Sequence, residues 1–127
     1  MPTDRDGTLL LVEDEELLRG LVSQFLRGSG FRVVEAADGL EALDRIDRDG
    51  PFDLALVDLN LPHLSGVDVC RRLLGRWPTH PVIICSAAIL SEHETALRQL
   101  GIDHYLTKPY HPETLLALVA QRLSTAA

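Results

Sequence analysis

Leu54-Ala55-Leu56-Val57 is an unbroken apolar run that stops on a carboxylate, Asp58. A run this short, without polar alternation, suits a strand covered on both faces, as in a parallel sheet packed between helices. Pro62 and Ser65-Gly66 just beyond it mark a loop. An acid is thereby placed at the carboxyl end of a central strand, the edge where open α/β sheets hold their ligands.

Four more segments have strand character. Thr8-Leu9-Leu10-Leu11-Val12 is continuous and apolar and ends on Glu13, Asp14, Glu15 and Glu16. Phe31-Arg32-Val33-Val34-Glu35 is shorter in its apolar part and mixed, as an edge strand is. Pro81-Val82-Ile83-Ile84-Cys85 ends on Ser86, and Asp103-His104-Tyr105-Leu106 leads into Thr107-Lys108-Pro109.

Helical patterns lie between these segments. Leu17, Leu18, Leu21, Val22, Phe25 and Leu26 form an apolar stripe stopped by Gly28 and Gly30. Asp38 to Glu41, Ser65 to Asp68 and Ser91 to Glu94 have capping-box spacing, and each opens a helix. Ala42, Leu43 and Ile46 point inward from the first of these, and Val69, Cys70, Leu73 and Leu74 from the second. In the third, Ala96, Leu97 and Leu100 precede a stop at Gly101. Pro112 opens a last helix with Leu115, Leu116, Val119 and Leu123 inside. Five strands alternating with five helices predict an α/β, doubly wound parallel sheet with right-handed crossovers. The expected organisation is one domain over residues 8–124, a loose tail at 1–7 and a short tail at 125–127.

The 127 residues carry a formal charge of −7, which argues against non-specific binding to nucleic acid or anionic membranes. No apolar run approaches the roughly 20 residues of a membrane span. The polar start Met1–Gly7 lacks the apolar stretch of a signal peptide, so a cytoplasmic location is expected. Cys70 and Cys85 sit among apolar neighbours and read as small buried hydrophobes. His63, His80, His93, His104 and His111 show no metal-ligand spacing and are assigned surface or capping roles. Trp77 beside Pro78 reads as a helix-end packing residue.

The strand ends deliver Glu13, Asp14, Asp58, Ser86 and Lys108 to one edge. Three converging carboxylates repel and raise one another's pKa unless a cation lies among them. Hard oxygen ligands, few in number, suit Mg²⁺ with several retained waters.

With these residues in place, the chain resembles a response-regulator receiver domain of two-component signalling, from residue 8 to about 124. The resemblance is carried by the acidic pair after the first strand, Val57-Asp58-Leu59-Asn60-Leu61-Pro62, Gly66, Ser86-Ala87 and Lys108-Pro109. It implies the flavodoxin-like strand order 2-1-3-4-5. Asp58 would be the phosphoacceptor, attacking a phosphohistidine on a sensor histidine kinase or histidine phosphotransfer protein. Asp14, Asp58 and the main-chain carbonyl of Asn60 would hold Mg²⁺, with Glu13 acting through a coordinated water. Lys108 would offset charge on the transferred group and Ser86 would donate its hydroxyl to it. The Lys108–Pro109 bond would be cis. Ser86 and Tyr105 would relay the switch to a face made by the fourth helix, fifth strand and fifth helix. That face would meet a downstream effector domain or protein, or pair two copies of the chain.

Departures from the family's commonest pattern are small: Glu-Asp stands for the acidic pair, Ser86 replaces threonine, and Ala88 is small where others carry an acid or arginine. Family behaviour ties Asn60 and the Ala88 position to the lifetime of the aspartyl phosphate. Two other readings compete. A Mg²⁺-dependent phosphatase with an aspartyl-phosphate intermediate needs a general acid near its nucleophile, commonly two residues on, where Asn60 cannot serve. A receiver-like binding module that is never phosphorylated would not need the full set of acids, serine and lysine. The residues leave open whether the chain is a stand-alone regulator or the receiver of a larger protein.

Overall fold

The computed structural model describes residues 7–89 and 91–126. The expected N-terminal tail falls, apart from Gly7, outside the described residues. Among the described residues the order is β1 (Thr8–Val12), α1 (Glu16–Gly28), β2 (Arg32–Ala36), α2 (Gly39–Asp49), β3 (Leu54–Val57), α3 (Gly66–Arg76), β4 (Val82–Ser86), α4 (Ser91–Gln99), β5 (Tyr105–Thr107) and α5 (Pro112–Ala126). The last helix extends to Ala126, into the short tail expected at 125–127.

The strands form one five-stranded sheet in the order β2-β1-β3-β4-β5, and every pairing is parallel. β2 is an edge strand as expected, although it is no shorter than β1; the short edge is β5. Both faces are covered, which explains the unbroken apolar runs. Leu10 and Val12 of β1, Ala55 and Val57 of β3, and Val82 and Ile84 of β4 face one core, closed by Ala42 and Ile46 of α2, Val69, Cys70 and Leu73 of α3, and Leu97 of α4. Leu9, Leu11, Leu54, Leu56, Ile83 and Cys85 face the other, closed by Val22 and Leu26 of α1 and Leu115 and Val119 of α5. Burial in these cores pushes the thiols of Cys70 and Cys85 up to about 12, so both stay protonated and inert.

The helix ends follow local chemistry. Asp38 accepts from the Glu41 amide at 2.8 Å and Ser65 from the Asp68 amide at 3.3 Å, capping α2 and α3. In α4, Ser91 is itself the first helical residue, and residue 90 before it lies outside the described residues. α4 ends where Gly101, at φ +82°, donates to the Arg98 carbonyl while Ile102 donates to Leu97; the left-handed turn there favours glycine. α1 closes in the same way at Gly30.

Two expectations need correction. Leu17 and Leu21 are 73% and 58% exposed. α1 seats Leu18, Val22, Phe25 and Leu26 on the sheet, and Leu17 and Leu21 lie about 100° further round the helix. His80 is buried, not superficial. It lies where β3 and β4 begin, its ring 6.2 Å from Phe52 and 5.9 Å from Trp77. Its Nδ1 is 3.0 Å from the Pro81 carbonyl, which can only accept, so the proton sits on Nδ1. Nε2 is then free to accept from the Phe52 amide at 3.1 Å.

A second proton on His80 would face the Phe52 N–H with another donor. Burial holds its pKa below the ordinary histidine value of 6.5, against the pull of Asp53. The unfolded chain binds that proton first, so this contribution to stability is complete above pH 6.5 and is lost as pH falls toward the folded pKa. His80→Gln is expected to flatten that part of the stability–pH curve, measured by denaturant titration followed through Trp77 fluorescence. An unchanged slope below pH 6.5 would assign the acid sensitivity elsewhere.

Candidate functional site

Register brings the site together. Val12 pairs with Val57 and Val57 with Ile84, so Glu13 and Asp58 leave their strands side by side. The Asp58 amide donates to the Val12 carbonyl and the Glu13 amide to the Ala36 carbonyl, which continues the β1–β3 and β1–β2 pairings one residue past the strands. Ser86 pairs with Thr107, and the Lys108 amide donates to the Ser86 carbonyl at 2.9 Å. Lys108 is thereby delivered to the same edge. The Lys108–Pro109 peptide is cis, as is Gly50–Pro51, which sequence reading did not raise.

Glu13, Asp14 and Asp58 each offer a carboxylate oxygen within 4.8 Å of the others. Glu13 is 3% exposed and Asp58 4%, whereas Asp14 faces solvent. The Lys108 ammonium bridges the two buried acids, 2.6 Å from Glu13 Oε1 and 2.7 Å from Asp58 Oδ2. Burial raises the Glu13 pKa above its ordinary value even against the hydrogen bond from Lys108. Burial also works against the Lys108 charge, but its hydrogen bonds to Asp58 and Glu13 outweigh that and raise its pKa. Hard oxygen donors, two buried and one open to solvent, suit a small divalent cation that keeps part of its water shell.

Asn60 and Ser86 complete the edge. The Asn60 amide N–H donates to Asp58 Oδ1 at 3.1 Å, and its side-chain Nδ2 donates to Ser86 Oγ at 3.3 Å. Ser86 is fully buried, and its hydroxyl donates to the Ala88 carbonyl at 3.2 Å. Tyr105 is not part of this group. It is half-buried, and its hydroxyl donates to the Ile102 carbonyl at 2.9 Å.

Sequence reading missed two features. Arg19, an ordinary surface arginine by pattern, donates to the Glu13 main-chain carbonyl at 2.9 Å. The exposed Leu17 and Leu21, with Leu18, Ala87, Lys108, Pro109 and Tyr110, line a groove of about 440 Å³ beside the acids. Their separation by four residues on one helix face was the available signal.

The whole chain then bears comparison with known proteins. Residues 9–120 match the family model of the response regulator receiver domain. The chain belongs to the response-regulator receiver family. It is therefore a receiver domain of two-component signalling, a signalling module. Among curated relatives, the sensory transduction protein RegX3 of Mycobacterium tuberculosis is 40% identical over 112 residues, which cover 88% of this chain and 48% of RegX3. The chain thus spans about half the length of the curated relatives that it matches. Among solved structures, the CheY-like receiver of Methanospirillum hungatei superposes with a TM-score of 0.88 at 27% identity, covering 94% of each chain. The receiver domain of the sensor histidine kinase PA1611 from Pseudomonas aeruginosa, solved with a magnesium ion coordinated in its active-site cleft, gives a TM-score of 0.82 at 28% identity, covering 93% of this chain and 98% of that one.

Gly66, at the start of α3, is where the receiver backbone closes on its own acid. A Cβ there would meet the Asp58 carbonyl and lie 2.7 Å from Leu59 Cα, both main-chain atoms of the segment that carries Asp58. Gly66→Ala must therefore push α3 and the Asp58 turn apart. The expected cost is about 2 kcal/mol in chemical denaturation. A loss below about 0.5 kcal/mol, the range of an ordinary surface change, would show that the turn gives way freely.

Proposed function

We propose that Asp58 is the phosphoacceptor of this receiver and that its phosphorylation is Mg²⁺-dependent. The observation that carries the reading is the Lys108 ammonium held between Glu13 and Asp58, with Asp14 open beside them. An Asp58 oxygen attacks the phosphorus of a phosphohistidine; the new P–O bond forms as the P–N bond breaks, and the imidazole leaves as the neutral base once protonated. Transfer of PO3− to the Asp58 carboxylate leaves an acyl phosphate of roughly −2 charge beside the other two acids, Glu13 and Asp14. Mg²⁺ held by Asp14, Asp58 and the Asn60 carbonyl, with Glu13 through a water, would supply the charge that Lys108 alone lacks.

The chain's own groups then do the following. Lys108, tied to Asp58 from the outset, is placed to follow the transferred oxygens. Ser86 must release the Ala88 carbonyl to donate to a phosphoryl oxygen, and that exchange frees the segment that leads into α4. Tyr105, whose hydroxyl holds the turn after α4, is placed to register the movement on the α4–β5–α5 face. Asn60 has no proton to give as a general acid, and its amide is engaged with Ser86, which supports a switch over a phosphatase.

Incubation with Mg²⁺ and acetyl phosphate, followed by intact-protein mass spectrometry, is expected to show one phosphoryl increment that is absent from Asp58→Asn and from samples with excess chelator. An unchanged mass in the wild type would favour a receiver-like binding module.

The protein donor is a sensor histidine kinase or histidine phosphotransfer protein. Its imidazole must reach Asp58, so its surface must also cover the adjoining apolar groove at Leu17, Leu21, Pro109 and Tyr110. Leu17→Asp together with Leu21→Asp is expected to leave labelling by acetyl phosphate intact while slowing transfer from a phosphohistidine protein at least tenfold. Equal slowing with both donors would place the defect in the site itself.

A further inference from the structure

The turn that carries Glu13 and Asp14 is held from outside the site. Arg19, in the first turn of α1, donates from Nη1 to the Glu13 main-chain carbonyl at 2.9 Å and from Nε to Glu35 Oε1 at 3.3 Å. Glu35 sits on the edge strand β2 and also accepts from Ser23 Oγ at 2.9 Å and faces Arg27 Nη2 at 3.3 Å. Residues 19, 23 and 27 are four apart, so one stripe of α1 converges on one carboxylate. The Arg19 and Glu35 side chains are 17% and 31% exposed, against 49% and 39% for Arg72 and Asp47, which pair between α2 and α3. A pair that is partly desolvated and shared among several donors is stiffer than a solvated surface pair.

That stiffness is applied to the peptide joining Glu13 to Asp14. The Glu13 amide is fixed by the Ala36 carbonyl at 3.0 Å, and Glu13 Oε2 by the Glu15 amide at 3.0 Å. The Asp14 carboxylate is exposed and takes no hydrogen bond from the described residues, so the backbone is what fixes the point from which its side chain reaches the site. The Glu13 carbonyl is the handle that stops this peptide from turning, and Arg19 is what grips it.

We propose that Arg19 is a positioning residue for the cation site, aiming Asp14 through the Glu13 carbonyl and anchored in turn by Glu35. The inference rests on the reading that Glu13, Asp14 and Asp58 hold Mg²⁺. It makes a prediction opposite in sign to simple electrostatics. Removing a positive charge near a cation site should tighten cation binding through the field, whereas releasing the peptide should weaken it.

The test is calorimetric titration of Mg²⁺ into the unphosphorylated chain, with thermal unfolding measured alongside. Arg19→Met is expected to raise the Mg²⁺ dissociation constant about tenfold, the low end for loss of a group that orients a ligand. Arg19→Lys, which keeps a donor and the charge, should recover part of that loss and carries the test if Arg19→Met fails to fold. Arg27→Met removes another arm of the Glu35 cluster without touching the Glu13 carbonyl; it should lower the unfolding temperature and leave the Mg²⁺ constant within twofold. Arg19 variants that unfold earlier but bind Mg²⁺ as tightly as wild type, or more tightly, would overturn the proposal. A wild-type chain with no saturable Mg²⁺ binding would instead remove the phosphoacceptor reading on which it rests.

Discussion

Carboxylates gathered at a buried edge need a cation among them, and in this structure the cation is Lys108. Its ammonium lies within 2.7 Å of both Glu13 and Asp58, although burial opposes charge on the lysine and on Glu13 alike. The arrangement holds because the partners are mutually satisfied, and it would be costly to leave any one of them alone. It also sets the site at rest. A lysine already bound to Asp58 can neutralise one negative charge, whereas the acyl phosphate proposed to form there would carry roughly two beside Glu13 and Asp14.

The sheet exists, for this purpose, as a device for register. Parallel pairing of Val12, Val57 and Ile84 puts the first and third strand ends side by side, and the pairing of Ser86 with Thr107 adds the lysine from the fifth. The central strands β1, β3 and β4 are apolar on both faces because helices cover both. Their polar groups are thus confined to the ends, and a slip in pairing would scatter the site. Gly66 adds the last constraint, by allowing α3 to start against the Asp58 main chain.

What could be read from the chain follows from which interactions are local in sequence. Unbroken apolar runs ending on Glu13, Asp58 and Ser86 mark buried strands and the edge they point to, and the caps at Asp38 and Ser65 lie within a few residues of the amides they accept from. The strand order came from the family resemblance, because no local pattern encodes which strands are neighbours. Three features escaped for a shared reason. Leu17 and Leu21 look like core because helical periodicity gives the width of an apolar face but not the part that the sheet covers. His80 looks like a turn histidine until Phe52 and Trp77 are seen to enclose it. Arg19 looks like a solvated helix residue because its two partners, the Glu13 carbonyl and the Glu35 carboxylate, belong to other elements.

The central claim is that a divalent cation takes over acids that Lys108 holds at rest. A crystal structure of the protein soaked in saturating Mg²⁺ tests it most directly. The account predicts an ion about 2.0–2.1 Å from oxygens of Asp14 and Asp58, with the Lys108 ammonium drawn off at least one of the acids it now bridges. Asp14 turned away from Asp58, no ion between them, and Lys108 still on both Glu13 and Asp58 would contradict it.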